Sequence, residues 1–415
     1  MKIDIPSGVR VYNRKESREI DYIVKKIEKV FEKWCYEKIN LPVFEYYDVH
    51  KRAFGKDIKD KTFKLIDRTS GDILSLRADF TAQVARYFAS LKIKEFPKRY
   101  YYFGRVFRYF PPKSNKLWEN FQLGVELIGV SRLEAEAEII SISIISLKEL
   151  GIDNFQIDIN NIKIFKALKE ILALSENNYI DFMNSIKKRE KFLIEKYLKN
   201  ANKKIKSFVY QILENQFTVE ELEKLKENLK DFKNLKIAIN ELIKIYSILE
   251  EYEVNENVVF DLGEPREFSY YTGIIFEIFI KGFKKQVGQG GRYNDLISRY
   301  DGNIPATGFA FNILNIWEYL KDNNLIKINP KKDFYIIDTT DNKRRAYRLA
   351  KLLREKGYTV ARDILDRDYK KSLEFAFKEG YKNVILIFEN QNLLYLYENL
   401  ESYKKIDIDT FLRGL

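Results

Sequence analysis

Arg99-Tyr100-Tyr101-Tyr102-Phe103-Gly104-Arg105-Val106-Phe107-Arg108-Tyr109-Phe110 is aromatic and β-prone, and Pro111-Pro112 ends it. The polar stretch Lys113 to Asn120 follows, and then Phe121-Gln122-Leu123-Gly124-Val125-Glu126-Leu127-Ile128-Gly129. Two β-prone runs joined by a polar loop predict a long hairpin inside an antiparallel sheet. Gln122 and Glu126 are four apart on the second strand, so they share a face. A Gln and a Glu among Leu123, Val125 and Leu127 mark either a solvent face or the wall of a polar pocket.

Working outward, Glu16 to Ile39 predicts a helix, with Ile20, Ile23, Val24, Ile27, Val30, Phe31 and Trp34 at three- and four-residue spacing. Leu41 to Glu45 reads as a strand, and Thr62–Asp67 with Ile73–Arg77 as a hairpin. Asp79 begins a helix. Leu133–Leu150 is helical and Phe155–Ile159 a strand. From about Ile162 to Glu251 the chain has no Gly or Pro and reads as a helical insertion between strands. Strands return at Val258–Leu262 and Tyr270–Ile280, and Gly288-Gln289-Gly290-Gly291 reads as a turn. The fold class is α+β. A core over residues 1–322, with its insertion at about 162–251, is followed by a linker (Asn323 to Lys332) and a small α/β domain over 333–415, where strands alternate with helices.

The counts of reactive residues exclude several chemistries. The 415 residues include one His (His50) and one Cys (Cys35). A structural zinc site takes about four Cys/His ligands, so no metal site is expected. A Ser–His–Asp triad would need His50, which has no nucleophile-elbow pattern near it. A single Cys allows no intramolecular disulfide and suits a reducing compartment. Between Trp34 and Tyr36 in a helical pattern, Cys35 reads as core filler. There is no signal core at the N-terminus and no apolar run of about 18 residues, so a cytoplasmic protein without a membrane partner is expected. Charge gives 73 Lys+Arg against 61 Asp+Glu, a net +12. The signs alternate along most of the chain, as on solvated helix faces, and without a dense basic block RNA binding has no support.

Several polar groups need an explanation. Asp79 and Thr81 put a carboxylate and a hydroxyl at a helix start, where an N-cap is the plain reading. Arg266 precedes Tyr270-Tyr271-Thr272-Gly273. The glycines of Gly288-Gln289-Gly290-Gly291-Arg292-Tyr293 allow positive φ or close backbone approach, or mark a hairpin with a bulge.

Together, these segments resemble the catalytic core of class II histidyl-tRNA synthetases. Arg105–Arg108 through Gln122–Glu126 is similar to that family's motif 2. Arg266 with Tyr270-Tyr271, and Gly290–Tyr293, resemble its histidine-recognition segments, and Ala306–Phe311 the start of motif 3. The likeness runs from Pro6 to about Ile316, and the tail looks like an anticodon-binding domain. Two positions depart. Motif 2 would carry Glu where Phe110 stands, and motif 3 a phosphate-binding Arg where Asn315 stands. Trp118 also falls where a basic residue is expected. Loss of a fixed cation opposite a triphosphate removes a large electrostatic contribution.

A chain with the amino-acid pocket but without the ATP grip resembles the regulatory subunits of ATP phosphoribosyltransferase, as do the wordings Ile5–Arg10, Gln122–Gly129 and Tyr271–Glu277. That resemblance implies a non-catalytic chain with no cofactor and no catalytic residues of its own. Its partners would be a short-form catalytic subunit and L-histidine as feedback effector, in a homodimer within a hetero-oligomer. The implied histidine-binding residues are Asp79, Thr81, Arg108, Gln122, Glu126, Arg266, Tyr270 and Tyr271. A working histidine–tRNA ligase is the alternative.

Overall fold

The computed structural model describes residues 4–53, 60–91, 95–111, 114, 116–265, 270–300, 304–328, 332–365, 367–388 and 393–414. The chain divides into two compact units, Met1–Ile326 and Lys327–Leu415.

The first unit opens with α1 (Arg14–Lys33). Asn13 accepts from the backbone of Lys15 and Glu16, and Glu16 returns a bond to Asn13 N, a capping box that sets the helix start. There follow β1 (Glu37–Lys38), β2 (Phe44–Tyr46), α2 (Tyr47–Ala53), β3 (Lys64–Ile66), β4 (Ile73–Leu76) and α3 (Thr81–Leu91). The deciding hairpin is β5 (Lys98–Phe107) and β6 (Glu119–Ile128), followed by α4 (Glu134–Glu149) and β7 (Phe155–Asn161). The helical insertion consists of α5 (Ile162–Ile171), α6 (Glu176–Lys187), α7 (Lys191–Leu198), α8 (Lys203–Glu214), α9 (Val219–Asn228) and α10 (Lys233–Glu251). The unit closes with β8 (Val258–Phe260), β9 (Ile274–Ile280), β10 (Gln286–Arg292), α11 (Asn294–Ser298), β11 (Ala306–Asn312) and α12 (Ile313–Asp322).

Eight strands form one sheet in the order β1-β5-β6-β11-β10-β9-β7-β8, antiparallel except at its two edges. Period-2 alternation divides its residues between two faces. Leu123, Val125, Phe309, Phe311, Ile157 and Ile159 join one large core with residues of α1, α4, α10 and α12. Tyr102, Ile128, Ile275 and Tyr293 face a smaller core shared with Phe80 and Phe88. A three-stranded sheet, β2-β4-β3, stands apart and leaves Phe44, Tyr46, Ile66 and Ile73 more than half exposed.

The second unit contains β12 (Phe334–Asp338), α13 (Arg344–Glu355), β13 (Val360–Arg362), α14 (Tyr369–Lys378), β14 (Asn383–Ile387), β15 (Leu393–Tyr397), β16 (Tyr403–Asp407) and α15 (Ile408–Arg413). Its sheet, β13-β12-β14-β15-β16, is parallel through the first three strands and antiparallel over the last two. That final pair was not foreseen, because Leu393–Tyr397 and Tyr403–Asp407 lack a sharp Gly/Pro turn between them.

Three local expectations are corrected. Helix α1 stops at Lys33, and Cys35 lies beyond it, exposed, at φ 59°. It is therefore not core filler. The glycine-rich run is a strand, since Gln286–Arg292 pairs on both sides with β9 and β11, with a register shift between Gln286 and Gly288. Third, α13 gathers Arg344, Arg345, Arg348 and Lys351 on an exposed face, so the second unit does carry a basic block. Among the described residues, no helix is long and apolar enough to cross a membrane and no cluster of three or more His, Cys, Asp or Glu could hold a metal ion.

Candidate functional site

The site lies on the face of the large sheet opposite α1 and α4. Register places Glu126 opposite Tyr100 and Gly308, Gly124 opposite Tyr102 and Ala310, and Gln122 opposite Gly104 and Asn312. Glu126 and Gln122 therefore rise from a floor of glycine and alanine. A Cβ on Gly308 would fall 1.9 Å from Glu126 Oε2, so the carboxyl occupies space that only glycine leaves free.

Glu126 is almost wholly buried. Thr81 Oγ1 donates to its Oε1 at 3.0 Å, Tyr102 OH donates to the same oxygen at 3.3 Å, and Tyr293 OH donates to Oε2. Burial is the largest influence on this carboxyl and pushes its pKa up to about 8. The hydroxyls of Tyr293 and Thr81 oppose that, and the nearby charge of Asp79 adds to it. Burial also drives the phenols of Tyr102, Tyr270 and Tyr293 well above their ordinary value.

Asp79 accepts from Thr81 N at 2.8 Å. Its other oxygen accepts from Arg108 Nη2 at 3.1 Å and from Gln122 Nε2 at 3.4 Å. Arg108 is anchored by a further bond from Nε to Ala78 O at 2.9 Å. One oxygen of Asp79 thus serves a free N–H at the start of α3, one position before the capping residue Phe80, and the other faces Arg108 and Gln122. Tyr270 and Tyr271 are buried, with ring centroids 4.7 Å apart.

Of the residues singled out from sequence, Asp79, Thr81, Gln122, Tyr270 and Tyr271 line one slot, with Glu126 and Arg108 bonded to its walls. Arg266 lies outside the described residues. Tyr102, Tyr293 and Gln289 were missed as site residues. Alternation put Tyr102 on this face, and the quoted Gly290–Tyr293 segment contains Tyr293, but nothing local ties either to Glu126. The slot is narrow, about 20 Å³. Clefts of about 270 and 260 Å³ flank it, and Gln289 lines all three.

The second cleft runs between Arg108 and Asn315 and is walled by carboxamides, Asn120, Gln122, Gln286 and Asn312 among them. Asn315 Nδ2 donates to Gln286 O at 2.7 Å, which turns this side chain onto the backbone. Trp118 packs over Gly8 and among the rings of Phe63 and Tyr109, so an aromatic cluster occupies the loop where a basic residue was expected.

An antiparallel sheet with such a polar slot on one face defines a class II synthetase-like chain. Residues 8–316 match the family model described as histidyl-tRNA synthetase. The chain is 32% identical over 386 residues to the ATP phosphoribosyltransferase regulatory subunit of Geobacter metallireducens, covering 92% of this chain and 89% of that one. It is 31% identical to the histidine–tRNA ligase of Methanocaldococcus jannaschii, covering 93% and 92%. A crystal structure described as an ATP phosphoribosyltransferase regulatory subunit/histidyl-tRNA synthetase from Bacillus halodurans superposes with a TM-score of 0.81 at 28% identity, covering 93% of this chain and 98% of that one. Several further curated relatives carry the regulatory-subunit name, which favours that branch over the ligases. The chain belongs to the histidyl-tRNA synthetase-like family that includes the ATP phosphoribosyltransferase regulatory subunits.

The buried titratable groups set a pH dependence of stability. Glu126, raised from about 4.5 to about 8, contributes stability that is full below its unfolded pKa and lost as pH rises through 8. His50 is pulled down from 6.5 to about 4, mainly by burial, so its contribution is full above 6.5 and lost as pH falls through 4. The two slopes oppose each other between about pH 4.5 and 6.5, and only that of Glu126 remains above. Melting temperature is expected to stay nearly level up to about pH 6.5 and fall towards pH 8, and Glu126→Gln should remove the fall. Scanning calorimetry across this range checks it.

Proposed function

We propose that this chain is the non-catalytic regulatory subunit of an ATP phosphoribosyltransferase, which binds L-histidine in the slot and acts with a short-form catalytic subunit. The observation that carries this reading is Glu126, held by three hydroxyls, beside a neighbouring cleft in which Asn315 is folded onto the backbone. Asp79 and Thr81 receive the α-ammonium, and Arg108 with Arg266 meets the carboxylate. Glu126 and Gln122 face the imidazole, and Tyr270 and Tyr271 close the ring slot. A ligand with an ammonium, a carboxylate and an imidazole calls for this mixture of partners. The slot has room for about one water, so histidine binding requires its lining to shift.

The chain pairs as a homodimer within the larger complex. Support comes from the three-stranded sheet, which exposes Phe44, Tyr46 and Leu65 together on one face and Ile66 with Ile73 on the other.

The test is reconstitution with a short catalytic subunit. Phosphoribosyl-ATP formation is expected to depend on this chain and to be suppressed by histidine. A rate indifferent to the chain overturns the reading. The ligase reading draws on the archaeal ligase relative and the Arg108–Asp79 pair. Histidine-dependent ATP–pyrophosphate exchange by this chain alone would establish it instead.

A further inference from the structure

Arg77 is a buried cation for which the slot chemistry has no use. It is 3% exposed and makes no ion pair among the described residues. Its guanidinium donates only to backbone carbonyls: Nη1 to Leu41 O (2.9 Å) and Pro42 O (3.2 Å), Nε and Nη2 to Arg105 O (3.1 and 2.9 Å). Burial lowers its pKa to about 10, which still leaves it charged at neutral pH. Burying a charge that bonds no carboxylate directly is costly, even with the Asp79 charge acting on it from nearby, and a neutral side chain of similar volume would avoid the cost. A planar fork that reaches two chain segments at once is what Arg adds and Lys cannot.

The flat face of that fork leads to the slot. Its carbon lies 3.7 Å from the Phe80 ring centroid, and Phe80 stacks on Tyr102 at 4.2 Å with the planes 8° apart. Tyr102 OH then donates to Glu126. The stack is tightly enclosed, since a Cβ on Gly104 would fall 2.9 Å from Arg77 Nη2 and 3.0 Å from Phe80. At the opposite end, Leu41 and Pro42 lead directly into β2 and its exposed Phe44 and Tyr46. Arg77 N also donates to Val43 O at 2.8 Å.

We propose that Arg77 is a positioning residue that couples the Glu126 slot to the exposed three-stranded sheet, through Phe80 and Tyr102 on one side and Leu41–Pro42 on the other. This rests on the reading of the slot as a histidine site. A ligand that draws on Glu126 shifts the Tyr102–Phe80–Arg77 stack, and β2 moves with the carbonyls that Arg77 holds. By linkage, whatever fixes the sheet changes histidine affinity by the same factor.

The experiment titrates L-histidine into the full chain by calorimetry and follows hydrogen exchange over residues 41–46 and 73–76. In the wild type, histidine is expected to slow exchange in both segments. Arg77→Lys keeps the charge and loses the fork, and Phe80→Leu keeps an apolar side chain and loses the stack. Each is expected to weaken histidine binding by about tenfold and to abolish the exchange response while the chain stays folded. If the wild type binds histidine with exchange over 41–46 unchanged, the coupling is refuted and the slot reading survives. The same holds if either folded variant keeps both wild-type affinity and the full response. A wild type that binds no histidine overturns the slot reading and the coupling together.

Discussion

Gly308→Ala is expected to destabilise the first unit by about 3 kcal/mol and to remove histidine binding at millimolar ligand. The added methyl would sit 1.9 Å from Glu126 Oε2 and 2.5 Å from Val125 O. Both neighbours are fixed, the carbonyl by the β6–β11 ladder and the carboxyl by its three hydroxyl donors. Glu126 must therefore leave its donors, or β11 must leave β6. Urea denaturation and calorimetric titration measure the two effects. Gly71→Ala is the control. Gly71 has φ 80° and nothing within 4 Å of the added methyl, so it carries backbone strain without a clash and should cost only about 1 kcal/mol with unchanged histidine affinity. If Gly308→Ala behaves like Gly71→Ala, the crowding around Glu126 is overstated.

Glu126→Ala is expected to weaken histidine binding by about 100-fold and to lower stability by about 3 kcal/mol or more. Three buried hydroxyls, of Thr81, Tyr102 and Tyr293, lose their acceptor at once, and a leftover cavity adds to the cost. Glu126→Gln separates the two contributions, since it keeps the volume and one acceptor oxygen. Most of the stability should return with it, whereas affinity should recover only in part, because an amide oxygen accepts the imidazole N–H more weakly than a carboxylate does. Unchanged affinity in Glu126→Ala by calorimetry would move the histidine site elsewhere.

Much of the fold was legible because it is written in local periods. The three- and four-residue spacing from Ile20 to Phe31 gave α1, and alternation through Phe121–Ile128 gave β6 with Gln122 and Glu126 on one face. Where local signals competed, the reading went astray. Three glycines within Gln286–Arg292 looked like a turn, yet Phe276 and Phe309 beside Gly290, Ile278 and Phe311 beside Gly288, and Ile274 and Ile275 beside Gly291 leave no room for side chains, and glycine is there for close strand approach. Cys35 continued an apolar pattern, but the helix had already ended before it.

By itself, then, the sequence determined the α+β class, the antiparallel core with its helical insertion, and a set of polar residues resembling a histidine pocket. Tertiary structure alone decided how that pocket is held. The three donors to Glu126 lie 45, 24 and 167 residues away along the chain. The Arg77–Phe80–Tyr102 stack depends on a strand and a helix start meeting across the smaller core. Periodicity reports which face a residue takes, because that depends only on its neighbours in sequence. Which hydroxyl meets which carboxyl depends on strand register and order, and those are set only when distant segments pack together.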